Sequence, residues 1–129
     1  MNIEKGLERG VLYIVATPIG NNDDMSSRAR EILIACDRVA AEDTRRAARL
    51  LTELGGNRHK LISLHEHNED KLVDYLVGEL VKGASVALVS DSGTPLLSDP
   101  GYRLVKAASS SGISAVSYTH LRAHETRED

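Results

Sequence analysis

The stretch Val86–Tyr102, VALVSDSGTPLLSDPGY, decides how the rest of the chain is read. Val86, Ala87, Leu88 and Val89 form an apolar run with the length and branching of a strand buried on both faces. From Asp91 to Gly101 follow two aspartates, two glycines, two prolines, three hydroxyl side chains and only two leucines. A connection between a strand and a helix needs one or two turn residues, not such a concentration of them. In open α/β sheets the loops at the carboxyl ends of strands are where ligands bind. Rigid prolines and close-approach glycines would shape such a loop, with Asp91, Asp99, Ser92, Thr94 and Ser98 supplying polar contacts. The plainer alternative is an elaborate turn capping the next helix, with Asp99 as N-cap and Pro100 at the first helical position. That alternative covers Ser98 to Gly101 and leaves Asp91 to Leu96 without a purpose, so a small-molecule site is favoured.

Working outward, strands and helices alternate. Val11 to Ala16 reads as a strand, ended by the turn around Pro18 and Gly20. Asp24 is the expected cap of a helix whose apolar face is Ala29, Ile32, Leu33 and Cys36, an i, i+3, i+4, i+7 set. A short strand is expected at Val39 to Ala41. Asp43 or Thr44 then opens a helix with Ala47, Leu50, Leu51 and Leu54 inward, stopped by Gly55 and Gly56. Lys60 to Leu64 is the third expected strand. Asn68 is the expected cap of a helix using Leu72, Val73, Leu76, Val77 and Leu80, with Gly83 at its end. After the strand at Val86, a helix runs through Leu104, Val105 and Ala108, and a last strand is expected at Ile113 to Val116. Strand–helix alternation with short connections predicts an open, mainly parallel five-stranded α/β sheet with flanking helices.

Composition bounds the reading without directing it. The chain has 129 residues, 41% hydrophobic and 27% charged, with a formal net charge of −3. One domain of this size buries about two-thirds of its unfolded surface. The opening MNIEKGLERG lacks the apolar core of a signal peptide and no run is long enough to cross a membrane, so a cytoplasmic address is expected. The single Cys36 excludes an internal disulfide. An acidic balance and a supply of only four tyrosines, with no Trp or Phe, do not by themselves suggest a nucleic-acid partner.

Each strand exit carries polar sequence. TPIGNND follows the first strand, EDTRR (Glu42 to Arg46) the second, HEHNE (His65 to Glu69) the third and SDSGTPLLSDPG the fourth. In a parallel sheet all four leave at one edge. Singly, each has an ordinary explanation: Glu42 and Asp43 as an acidic helix start, Arg45 and Arg46 as solvated charge, His65 and His67 as surface polarity rather than a metal pair. Their convergence on one edge is what favours a site. A dinucleotide fold is disfavoured, because the first exit has a lone Gly20 where GxGxxG is needed, and Pro18 has no amide hydrogen to offer a pyrophosphate.

The four motifs VATPIGN, AAEDTRR, HEHNE and SDSGTPLLSDPGY, in that order and spacing, resemble the ribosomal RNA small subunit methyltransferase I family. Its members are 16S rRNA (cytidine-2′-O)-methyltransferases of the tetrapyrrole methylase superfamily, and the likeness runs from about Gly10 to Val116. Two positions depart from the family's usual pattern, which has Leu where Asn22 stands and Ala at Ser92. The resemblance implies the N-terminal domain, residues 1–116, of a two-domain tetrapyrrole methylase-like fold with S-adenosyl-L-methionine between the domains. It implies methyl transfer to a cytidine ribose 2′-hydroxyl of 16S rRNA in the small ribosomal subunit, with a homodimer for the full-length enzyme. By the same resemblance, Pro18, Gly20, Ser90, Asp91, Ser92, Gly93, Thr94 and Leu97 are expected to face the cofactor. Glu42 and Asp43 are candidates for proton removal or ribose positioning, Arg45 and Arg46 suit phosphates, and His65, Glu66 and His67 are assigned to the acceptor side. No metal is implied. The alternatives are an inactive half-domain and a tetrapyrrole methylase relative acting on another acceptor.

After Val116 the chain leaves the family's pattern. Where a Pro-Gly-Pro-Ser turn is usual, the sequence is SYTHLRAHETRED. Residues 117–129 are therefore expected to be a disordered or artefactual tail, the second domain absent and the 129-residue chain itself inactive. His120 and His124 have helical zinc spacing, but Leu121 stands where zinc proteases place Glu, and the segment lacks an apolar stripe. From about Thr119 no persistent contacts are expected.

Overall fold

The computed structural model describes residues 7–17, 25–65, 68–90, 99–118 and 126–128. Five strands, β1 (Leu12–Ala16), β2 (Arg38–Ala41), β3 (Leu61–Ser63), β4 (Val86–Ser90) and β5 (Ala115–Tyr118), run parallel in one sheet. A sixth, β6 (Thr126–Glu128), pairs antiparallel with β5, giving the order β3-β2-β4-β1-β5-β6. Four helices, α1 (Ser27–Ala35), α2 (Thr44–Leu54), α3 (Glu69–Val81) and α4 (Asp99–Ser110), connect successive parallel strands.

Alternation along the strands divides the core into two layers. Tyr13, Val15, Val39, Ala41, Ala87, Val89, Val116 and Tyr118 pack against Ala29, Ile32 and Leu33 of α1 and Ala47, Leu50 and Leu51 of α2. Leu12, Ile14, Ala40, Val86, Leu88 and Ala115 pack against Val73, Leu76 and Leu80 of α3 and Leu104 and Ala108 of α4. Both faces are thus covered, as the unbroken apolar runs of β1 and β4 require.

Several boundaries differ from the sequence expectation, each for a local reason. The cap of α1 is Ser26, whose Oγ accepts from the Ala29 amide at 3.1 Å; Asp24 lies outside the described residues. Lys60 belongs to a 3-10 turn, Arg58–Lys60, rather than to β3, and its Nζ donates to the carbonyls of Ile34 and Cys36 at 2.8 and 2.9 Å. The lysine therefore serves the carboxyl end of α1. Asn68 stands at the start of α3 without a side-chain cap bond; its Oδ1 accepts from the His65 amide and its Nδ2 donates to the Ser63 carbonyl. Helix α4 includes Asp99, so the helix starts at the residue expected to cap it.

Strand β5 begins and ends two residues later than expected. Ile113 closes α4 instead, its amide donating to the Ala108 carbonyl at 3.0 Å after Gly112 turns with φ +82°. Ser117 and Tyr118, expected in the tail, are part of the sheet, and Tyr118 is buried. Thr126–Glu128 also departs from the expectation of no contacts, since it is backbone-paired with Ala115–Ser117.

Candidate functional site

The strand order dictates where a site belongs. Strands β1 and β4 are neighbours, yet the chain leaves β1 for α1 on one face and β4 for α4 on the other. Strand β2, on the other side of β4, feeds α2 on the α1 face. The carboxyl end of β4 is thus flanked on both sides by strands whose exits diverge from its own. A crevice opens at such a switch point because no crossing helix covers it.

At this point the structure supplies a brace that sequence reading missed. Thr17, the residue after β1, donates from its amide to the Ser90 carbonyl at 2.9 Å and from Oγ1 to the same oxygen at 3.1 Å. Thr17 is 4% exposed and Ser90 5%. Two donors on one carbonyl pin the mouths of both loops together, so they leave the sheet from a fixed base. The motif TPIGN hinted at this only in that a threonine precedes the turn. Ser90 lies as expected at the carboxyl edge. Pro18, Gly20, Asp91, Ser92, Gly93, Thr94 and Leu97, assigned to the cofactor, lie outside the described residues, as do Glu66 and His67.

The exit of β2 is described in full. Glu42 and Asp43 are exposed, and Asp43 caps α2 by accepting from the Arg46 amide at 3.2 Å. The helix forms because Asp43 satisfies one orphan amide at its start, while Gly55, at φ +80°, ends it in the left-handed conformation. Its buried face is Ala47, Leu50 and Leu51, which turns Arg45 and Arg49 outward. Glu42, Asp43, Thr44, Arg45, Arg46 and Arg49 line one open depression of about 490 Å³. Four of the sequence-assigned residues, Glu42, Asp43, Arg45 and Arg46, are therefore brought together, two carboxylates beside guanidinium groups. That arrangement can accept a proton and hold a phosphate at neighbouring places.

His65 follows β3 on the same edge and is half-buried, but it is not among the residues lining this depression. Its amide is tied to Asn68. Arg49 was not singled out in the sequence; its position one helical turn after Arg45 is the signal that points to it.

Comparison with known proteins agrees with this architecture. The chain is 53% identical over 104 residues to the ribosomal RNA small subunit methyltransferase I of Xylella fastidiosa, covering 81% of this chain and 38% of that protein. It is 50% identical over 108 residues to the protein of the same name from Escherichia coli O157:H7, covering 84% and 37%. The chain thus spans well under half the length of these relatives. Among solved structures, a uroporphyrin-III-C-methyltransferase from Thermus thermophilus superposes with a TM-score of 0.62 at 20% identity, covering 84% of this chain and 46% of that one. A diphthine synthase superposes with the same score, 0.62, at 16% identity, covering 90% and 44%. At such identities these two speak for the fold alone. The sheet order and the match of residues 11–119 to the model of the Tetrapyrrole (Corrin/Porphyrin) Methylases agree, and the chain belongs to that family.

Proposed function

We propose that this chain supplies the amino-terminal, cofactor-facing part of an S-adenosyl-L-methionine-dependent methyltransferase. Its acceptor is the 2′-hydroxyl of a cytidine ribose in the 16S rRNA of the small ribosomal subunit. The observation that carries the reading is the gathering of Glu42, Asp43, Arg45 and Arg46 in one depression at the carboxyl edge, within a segment about half identical to methyltransferases of that name. The carboxyl end of β4 suits the cofactor: the Thr17 hydroxyl is tied to the Ser90 carbonyl just before a loop whose sequence offers Asp91, Ser92 and Thr94 to the amino-acid and ribose groups. When bound, S-adenosyl-L-methionine supplies an electrophilic methyl on a sulfonium centre.

The chain's own residues then divide the remaining work. Glu42, exposed at the end of β2, takes the proton from the ribose hydroxyl at its carboxylate. Asp43 keeps the start of α2 in place through Oδ1 and turns its other oxygen toward the acceptor. Arg45 and Arg46 fork onto phosphates flanking the target nucleotide. Pro18, Gly20, Gly93 and Leu97 shape the cofactor loop walls, and His65, Glu66 and His67 border the acceptor. Positioning of hydroxyl against methyl supplies much of the acceleration of an in-line displacement. The full-length enzyme works as a cytoplasmic homodimer.

The test is transfer of labelled methyl from S-adenosyl-L-methionine, using this chain joined to the remaining length of its Xylella fastidiosa relative. Label is expected in ribose of small-subunit RNA and not in a uroporphyrinogen. Glu42→Gln is expected to lower kcat about a hundredfold with little change in cofactor affinity. Label in the tetrapyrrole, or full activity in both Glu42→Gln and Asp43→Asn, overturns the reading.

A further inference from the structure

A second depression adjoins the first along α2. It has a volume of about 560 Å³ and is lined by Thr44, Arg45, Ala48, Arg49, Thr52, Arg58 and Leu61. Thr44, Arg45 and Arg49 line both depressions, so the two adjoin along α2. The chemistry changes along their length: the end at Glu42 and Asp43 is mixed in charge, Arg45 and Arg49 line the shared part, and the far end adds Arg58, with no carboxylate among its described lining residues. Among the described residues, none of Arg45, Arg49 and Arg58 has a carboxylate within ion-pair distance. Elsewhere on this chain arginines do find acids: half-buried Arg28 pairs with Glu31 and Arg38 with Glu79, and exposed Arg103 with Glu69 and Asp70. In a chain whose net charge is −3, three arginines with no such pairing among the described residues form a locally basic stretch.

The fold builds this cluster from α2 and the turn that follows it. Arg45 and Arg49 stand one turn apart, a rise of about 6 Å along α2. Gly55, in the left-handed conformation, reverses the chain after the helix, and the 3-10 turn Arg58–Lys60 brings Arg58 back to the second depression. Lys60 is buried and spent on the carbonyls of α1, so the turn is rigidly anchored while Arg58 remains exposed. Thr44 adds a hydroxyl donor at the junction of the two depressions. Spaced guanidinium groups on a fixed helix and turn suit successive phosphates of one strand better than a single small anion.

We propose that Arg49 and Arg58 extend the acceptor site into a track for the RNA backbone, carrying phosphates that lead away from the target nucleotide. This rests on the methyltransferase reading above and adds to it a direction, from Glu42 along α2 toward Arg58. Contacts of this kind set affinity and register and not base identity.

The experiment measures binding of a labelled single-stranded RNA oligonucleotide to the full 129-residue chain over a salt series. Replacing both residues, Arg49→Gln with Arg58→Gln, is expected to weaken binding ten- to thirtyfold at 0.1 M salt and to reduce the slope of log K against log salt by about 1.4, some 0.7 per lost contact on single strands. Arg49→Lys with Arg58→Lys is expected to keep most of the slope, and thermal melts of both variants should match the parent. Unchanged affinity and slope in the Gln pair, with weakening in Arg45→Gln/Arg46→Gln, overturns the track and leaves the methyltransferase reading standing. No RNA binding by the parent chain, or binding indifferent to both Gln pairs, overturns the track and the RNA part of that reading together.

Discussion

The two edges of the sheet treat their polar residues in opposite ways. At the amino edge charge and hydrogen bonding are consumed inside the protein. Asp37 Oδ2 accepts from the Ser85 amide at 2.9 Å and from its hydroxyl at 3.3 Å, while the Asp37 and Arg38 amides both donate to the Ser85 carbonyl. Lys60 is spent on two helix carbonyls, and the Gly10 amide on Gly83. Arg38 is held by the Tyr75 hydroxyl and Glu79. At the carboxyl edge Glu42, Asp43 and Arg45 stand exposed around an open depression that Arg49 also lines. An amino edge that satisfies itself stabilises the sheet, and a carboxyl edge that does not is available to a ligand.

Substitutions should separate the two edges. The largest loss of stability is expected from Asp37→Ala, which orphans the buried Ser85 amide and removes bonds to a charged acceptor, about 3 kcal/mol by urea denaturation. RNA affinity of the folded fraction should not change; a parallel fall in both would mean that the edges are coupled. Next in size is a pH effect at Cys36, at the same edge, where burial pushes the thiol from 9.0 up to about 11. Above pH 9 the unfolded chain ionises this thiol and the folded chain does not, so stability is full below 9 and falls as pH rises toward 11. The total is roughly 2–3 kcal/mol, and Cys36→Ala should flatten that part of the curve.

Gly10→Ala follows. Gly10 has φ +68°, and a Cβ there would sit 3.1 Å from the Leu80 carbonyl, so about 1–2 kcal/mol should be lost with the carboxyl edge untouched. Smallest is Asp43→Asn, which keeps a capping oxygen for the Arg46 amide and should alter stability by less than about 0.5 kcal/mol. Asp43→Ala, losing the cap, should cost about 1 kcal/mol. If Asn and Ala variants lose methyl transfer equally while only Ala loses stability, the carboxylate's role in the reaction is separate from its role in the helix.

The parallel architecture was legible because β1 and β4 are unbroken apolar runs and because α1 and α2 carry clean helical stripes ended by cap chemistry. What escaped reading was decided by tertiary demand. Lys60 looks like the polar start of a strand until the carbonyls of Ile34 and Cys36 arrive beside it. Ile113 is as apolar as a strand residue, but closing α4 uses its amide first. Thr126–Glu128 has no strand signature, since pairing with β5 uses backbone groups that every sequence has. At the site, EDTRR was readable as chemistry because its residues are adjacent. Arg58 was not, because its approach to Arg49 depends on the reversal at Gly55.

The sheet's tyrosines also give the molecule an optical signature. The chain has four tyrosines and no tryptophan, so ultraviolet absorbance and emission come from phenol rings alone. Tyr13 and Tyr118 are buried with ring centroids 6.4 Å apart, and Tyr75 and Tyr102 are exposed. Burial pushes the Tyr13 phenol above 10.0, against the smaller opposing effect of the hydrogen bond with the Glu8 backbone. An alkaline spectrophotometric titration should therefore be split, with a late phenolate step from Tyr13. Loss of that split would report the opening of the sheet between β1 and β5 without any attached dye.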